Sequence, residues 1–134
     1  MPLRCFIQEL APIPQSGAQP VYFPACEWVD DNGRVDDLHP FNRYVCSWLT
    51  SDVSSVELCE EVLAAIAQVE SGERTKWFFD GDAFSVDFLK HSVQFNQSNV
   101  TCVDEAWFDQ ESACVSTHHV LTLLKKWHSF CKEN

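Results

Sequence analysis

Trp77-Phe78-Phe79-Asp80-Gly81-Asp82-Ala83-Phe84 is the stretch from which the fold can be built. An Asp-Gly pair between aromatic residues is the strongest short-range signal for a two-residue hairpin, because a type I′ turn needs positive φ at both central positions. The turn is therefore placed at Asp80-Gly81. Antiparallel partners step away from a turn in opposite directions, which sets Phe79 opposite Asp82, Trp77 opposite Phe84, Thr75 opposite Val86 and Arg74 opposite Asp87. Trp77, Phe84, Val86 and Phe88 then share one face and Lys76, Ser85 and Asp87 the other, the alternation of a sheet with one packed and one wet side. A third strand is expected at residues 92–95, with Phe88 opposite Val93, and a further one near residues 99–103.

Outward from this meander, residues 53–72 form the clearest helix. Ser54 followed by Glu57 fits a capping box, in which each side chain satisfies a free backbone amide of the other. Val56, Cys59, Leu63 and Ile66 share a stripe that Leu58, Val62 and Val69 widen, and Gly72 suits the C-terminal cap. Glu57, Glu60 and Glu61 fall early, where the helix dipole favours anions. A second helix closes the chain from a cap at Ser116 or Thr117, with Val120, Leu121, Leu124, Trp127 and Cys131 on its apolar face. Lys125, Lys126 and Lys132 lie toward its negative end.

Upstream, residues 3–9 read as a short strand and residues 11–17, with two prolines and a glycine, as loop. Residues 21–29 are extended, and Pro24, which cannot donate into a ladder, confines them to an edge or a bulge. Asp30-Asp31-Asn32-Gly33 is a second turn signal. Residues 41–49 are open between strand and helix and lean to helix through the spacing of Phe41, Tyr44, Val45, Trp48 and Leu49. The order of elements predicts an α+β fold: one domain over residues 1–134, an antiparallel β-meander with helices packed on one face and a C-terminal helix.

Composition narrows the function. A chain of 134 residues with 46% hydrophobic and 22% charged residues can bury a real core. Twenty acids against nine bases give a net charge of −11, which disfavours nucleic acid and anionic membranes as direct partners and favours basic proteins. No apolar run is long enough to span a bilayer and no signal peptide is visible, so the cytoplasm is the expected compartment. Seven cysteines without CxxC spacing read as small buried thiols in a reducing compartment.

Catalysis finds no specific support. Cys114, His118 and His119 could supply metal ligands or a thiol and base, yet structural zinc takes four ligands and no second cysteine pair lies nearby. Paired acids at Asp80/Asp82 or Asp104/Glu105 could do acid and base work, but turn acids are more often solvated. No phosphate loop, nucleophile elbow or zincin helix is present. Neither a cofactor nor a metal is expected. A small enzyme or metal-binding module built on Cys114, His118 and His119 stays open as the alternative.

Charge placement is the stronger signal. Residues 27–73 hold eleven acids and two bases, and residues 77–124 hold seven acids and one base. In Asp104-Glu105-Ala106-Trp107-Phe108-Asp109-Gln110-Glu111 two large aromatics sit among four acids, which is hot-spot composition for a cationic partner. The other account makes Trp107 and Phe108 core and the acids solubilising surface. The expected partner-binding set is Asp80, Asp82, Asp104, Glu105, Trp107, Phe108, Asp109 and Glu111.

Trp77, the run Asp80-Gly81-Asp82-Ala83-Phe84-Ser85-Val86, then Val93-Gln94-Phe95, and the closing helix from Val120 to Phe130 carry a resemblance. Over roughly the C-terminal 60 residues the pattern resembles the CdiI-type immunity proteins of contact-dependent growth inhibition and the small YacL-like bacterial proteins. The resemblance implies a cytoplasmic bacterial protein without catalytic activity of its own. Such a protein binds a toxic, basic nuclease domain and blocks its active site or nucleic-acid surface.

Overall fold

The computed structural model describes residues 3–97 and 111–134. Its elements, in chain order, are β1 (Leu3–Leu10), β2 (Val21–Trp28), a π-helical segment (Phe41–Cys46) that runs directly into α1 (Ser47–Asp52), α2 (Val56–Ser71), β3 (Trp77–Asp80), β4 (Phe84–Phe88), β5 (Ser92–Gln97), β6 (Cys114–Ser116) and α3 (Thr117–Glu133). β1 and β2 pair as a two-stranded antiparallel sheet, and β3-β4-β5-β6 form a four-stranded one. The fold is α+β, as the order of patterns in the sequence predicts.

The four-stranded sheet keeps the expected faces but not the expected register. Trp77 lies opposite Phe88, Phe79 opposite Val86 and Asp80 opposite Ser85, so the turn is centred on Asp82-Ala83 rather than Asp80-Gly81. The partner sum moves by four, an even number, and side chains alternate with period two, so no residue changes face. Phe79, Phe84, Val86 and Phe88 are all buried, and Phe88 opposes Val93 as expected. The expected strand near residues 99–103 lies outside the described residues. The fourth strand is β6, which pairs Val115 with Val93 and ends at Ser116, one of the two caps expected for the last helix; no strand is expected there from the sequence.

The core sits between this sheet and the helices. Trp48 is fully buried, with its ring edge-on to Phe79 and Phe95 at centroid distances of 5.6 Å and tilted against Phe88 at 5.8 Å. Tyr44, Val45 and Leu49 reach the same interior because the chain from Phe41 to Asp52 is helical throughout. Its first six residues are wound as a π-helix, a rare form that places one extra residue in the turn. Asn42, the second residue of that segment, fastens it to β2: its Oδ1 accepts from Trp28 N–H at 2.7 Å, and its Nδ2 donates to Trp28 O at 2.9 Å.

In α2, Cys59, Val62, Ala65, Ile66 and Val69 are buried, while Leu58 and Leu63 are half-buried flanks. Gly72 takes the left-handed cap with φ 84°, which a side chain would strain. The N-cap differs from the expected one. It is Ser55, whose hydroxyl accepts from Leu58 N–H at 3.1 Å; Ser54 is exposed just before it, and Glu57 is in the first turn. Two adjacent serines satisfy the same local rule, and packing selects the second. Ser55→Ala should therefore lower folding stability by about 0.5–2 kcal/mol, and Ser54→Ala should leave the denaturant midpoint nearly unchanged. The reverse order would contradict this helix start.

Candidate functional site

The β3–β4 turn is held from outside the sheet. Asp52, the last residue of α1, is buried, and its carboxylate accepts from Ala83 N–H at 3.0 and 3.2 Å and from Phe84 N–H at 3.0 Å. Bonds of this kind, from backbone amides to an ionised oxygen, are about twice as strong as neutral ones. Gly81 packs against the same carboxylate. A Cβ on Gly81 would meet Asp52 Oδ2 at 2.5 Å and Phe79 Cε1 at 2.8 Å. Its φ lies outside the left-handed region, so the glycine is required by close approach rather than by the type I′ backbone that its Asp-Gly setting suggests.

Around this knot lies a shallow depression of about 300 Å³ lined by Ser51, Asp52, Ser54, Leu58, Asp80 and Asp82, with Phe79 and Gly81 as its floor. Asp80 and Asp82 are exposed, and neither makes an ion pair among the described residues. Ser54 and Leu58 bring the first turns of α2 alongside. That helix carries Glu57, Glu60, Glu61 and Glu70 and no lysine or arginine, and Glu57 and Glu61 repel at i, i+4. Glu60 has His128 Nε2 at 3.7 Å.

The antiparallel order also brings Glu111 to this end. β3 runs into the turn, β4 leaves it, and β5 ends with Gln97 opposite Phe84, so Gln97 lies at the same end of the sheet as Asp82 and β6 starts from that side. The structure thus gathers three of the expected partner-binding acids, Asp80, Asp82 and Glu111, along one rim two to three strand spacings wide, roughly 10–15 Å. Asp104, Glu105, Trp107, Phe108 and Asp109 lie outside the described residues, between Gln97 and Glu111. Asp52 was missed because nothing local marks a helix-terminal aspartate as the acceptor for a turn thirty residues on.

A second, larger cleft of about 590 Å³ opens between β2 and the π-helical segment, bordered by Phe23, Glu27, Asp37, Asn42 and Arg43. It contains none of the expected site residues. Cys114 is exposed on β6 and His118 and His119 begin α3, with ring centroids 6.0 Å apart. Among the described residues, no three His, Cys, Asp or Glu side chains converge in a way that could hold a metal ion.

Thiol chemistry is muted where it can be followed. Burial pushes the Cys5 thiol up to about 11 and the Cys59 thiol up to about 12, in each case with neighbouring thiols adding to the effect. Cys131 is raised for the same first reason, and Cys26 is raised by its hydrogen bond with Cys46 and by burial. The thiolate is the reactive form, so these groups are poor nucleophiles at neutral pH.

The candidate site is therefore an acidic, solvent-facing rim on an α+β scaffold. The family model described as Uncharacterised protein family (UPF0231) matches residues 42–131, about two thirds of the chain, and the chain belongs to that family. Comparison with curated proteins and with solved structures returns no match. The family match begins at Asn42, the residue that pins the π-helical segment to β2, and covers the whole four-stranded sheet.

Two predictions follow from this geometry. Gly81→Ala should destabilise the fold by about 1–3 kcal/mol through overpacking. The loss should shrink when Asp52 is also replaced by Ala, because the closest clash is then gone; a simple additive effect in a double-mutant cycle would contradict the contact. In native protein at pH 8, brief alkylation should label Cys114 well before Cys59, whose thiolate is roughly one part in ten thousand there. Equal labelling rates by peptide mapping would refute the buried placement of Cys59.

Proposed function

We propose that this chain is a non-catalytic binding protein that neutralises a basic protein, and that it acts as a cytoplasmic immunity protein against a toxic nuclease domain. The observation that carries this reading is the end of the sheet where exposed Asp80 and Asp82 lie beside the first turns of a helix with four glutamates and no base, with exposed Glu111 further along the same end. Like charges held close reduce stability, so their clustering is most useful where a cationic surface relieves it. The resemblance of the C-terminal pattern to CdiI-type immunity proteins points the same way. No helix among the described residues is long and apolar enough to cross a membrane.

In this reading the rim docks on the basic surface with which a nuclease grips nucleic acid, and Trp107 or Phe108 supplies a desolvated anchor. Charge sets the encounter rate, and the anchor sets the release rate. Asp80→Lys combined with Asp82→Lys should slow association with the toxin domain encoded beside this gene by about tenfold or more at low salt. Near 0.5 M salt the difference should be small, because the Debye length is then only about 4 Å. Stability should hardly move, since both side chains are exposed. Reversing Asp104, Glu105 and Asp109 as well should deepen the loss. Equal association rates for all forms would remove this rim from the interface, and failure of any basic protein to bind would sink the reading itself.

A further inference from the structure

The acidic rim leaves the opposite character of the β1–β2 hairpin unexplained. Five of the eight large apolar side chains exposed among the described residues belong to it: Ile7 (46%), Leu10 (61%), Ile13 (79%), Val21 (56%) and Tyr22 (63%). The base of the hairpin is different. Leu3, Cys5, Cys26 and Trp28 pack on the core, so only the outer half stands clear of the molecule. Apolar exposure concentrated in one projecting element marks an interaction surface.

Backbone geometry adds a second argument. The hairpin forms a sheet of two strands, so β1 has a strand neighbour on one side only. It is eight residues long, contains no proline and carries a single charge, Glu9, beyond Arg4. β2, by contrast, has Pro24 opposite Ile7, which removes a donor from its own ladder. Long, regular, weakly charged edges invite pairing with another strand.

Charge then selects the occupant. Residues 1–26 contain one base, Arg4, and one acid, Glu9, so this part is neutral while the chain as a whole carries −11. A basic partner is drawn to the acidic rim instead. Two copies of the chain repel over nearly all of their surfaces and can approach most closely where that charge is absent. We propose that the outer half of the β1–β2 hairpin is a self-association surface, on which a second copy docks by antiparallel pairing of β1 with β1. A two-fold axis normal to the sheet pairs residues of equal parity. With Ile7 on the axis, Phe6 faces Gln8 and Cys5 faces Glu9 of the second copy, and no acid opposes an acid.

This surface has a salt dependence opposite in sign to that of the basic-partner interface. Salt screens the repulsion between two acidic copies, so the dimer tightens as ionic strength rises. Sedimentation equilibrium of the intact chain at about 100 μM should give twice the 15.3 kDa chain mass, with dimerisation severalfold tighter at about 0.5 M than at about 0.05 M salt. Ile7→Lys combined with Leu10→Lys should be monomeric with an unchanged circular dichroism spectrum, because both side chains are exposed on the paired strand and Ile7 sets two lysines face to face on the axis. If that variant fails to fold, Leu10→Lys alone decides, because Leu10 is 61% exposed at the end of β1 and in this register sets a lysine opposite Arg4 of the second copy at both ends of the seam. A monomeric native chain at both salts overturns the proposal, as does a dimer that survives the lysine substitutions. Dimerisation that weakens with salt overturns it too, since that sign belongs to an interface between opposite charges.

Discussion

The structure turns on two consecutive residues between α1 and α2. Asp52 gives its carboxylate to the amides of Ala83 and Phe84, and Val53 gives its carbonyl to Trp127 Nε1–H at 2.7 Å and to the Cys59 thiol at 3.8 Å. One helix end thus fixes the tip of a hairpin, the start of α2 and the middle of α3. All of these residues but the half-buried Ala83 are buried, and a buried donor left without an acceptor costs about 1–3 kcal/mol, so these bonds define geometry even where their net contribution is modest. The indole N–H of Trp48, a turn earlier, is buried and meets no acceptor among the described residues. Its ring is kept in place by the aromatic contacts around it rather than by a polar tie.

That junction explains why the acids at the rim can be exposed at all. The carboxylate that organises the turn is the inward one, Asp52; the side chains of Asp80 and Asp82 are exposed at a tip fastened from behind by Asp52. A charged surface on a rigid tip presents its field in a fixed direction, which favours oriented encounter with a cationic protein.

Periodicity carried most of the fold, and partners distant in sequence carried the rest. The faces of β3, β4 and β5, the stripe of α2, its Gly72 cap and the apolar face of α3 could all be read from spacing, because the same alternation governs packing wherever the strand partners fall. What spacing could not supply was the position of the turn. Asp80-Gly81 has the composition of a two-residue loop, but the amides that Asp52 binds are two residues further on, and Gly81 is there to let that carboxylate approach. The Ser54 cap failed by one position for a similar reason, since Ser55 offers an equivalent hydroxyl in the place that packing requires. β6 is three residues long and pairs across a long connection, which leaves no periodic trace. Of the candidate site, Asp80, Asp82 and Glu111 were legible as acids, but their meeting at one end of the sheet follows from strand order.

The chain thereby separates two kinds of surface that would interfere if mixed. Exposed apolar groups among many like charges would bind poorly to anything, because a partner suited to one would be repelled or left unpaired by the other. Here the acids of the rim belong to the unit of α2 and the four-stranded sheet, which the family match covers, while five of the eight large apolar side chains exposed among the described residues belong to the hairpin that precedes it. Asn42, buried at the boundary and bonded to both the N–H and the O of Trp28, holds the two parts in register without a charge on either side. An uncharged tie suits that boundary. Its bonds are insensitive to the ionic strength that tunes both surfaces, so the spacing between rim and hairpin is preserved under conditions in which their affinities move in opposite directions.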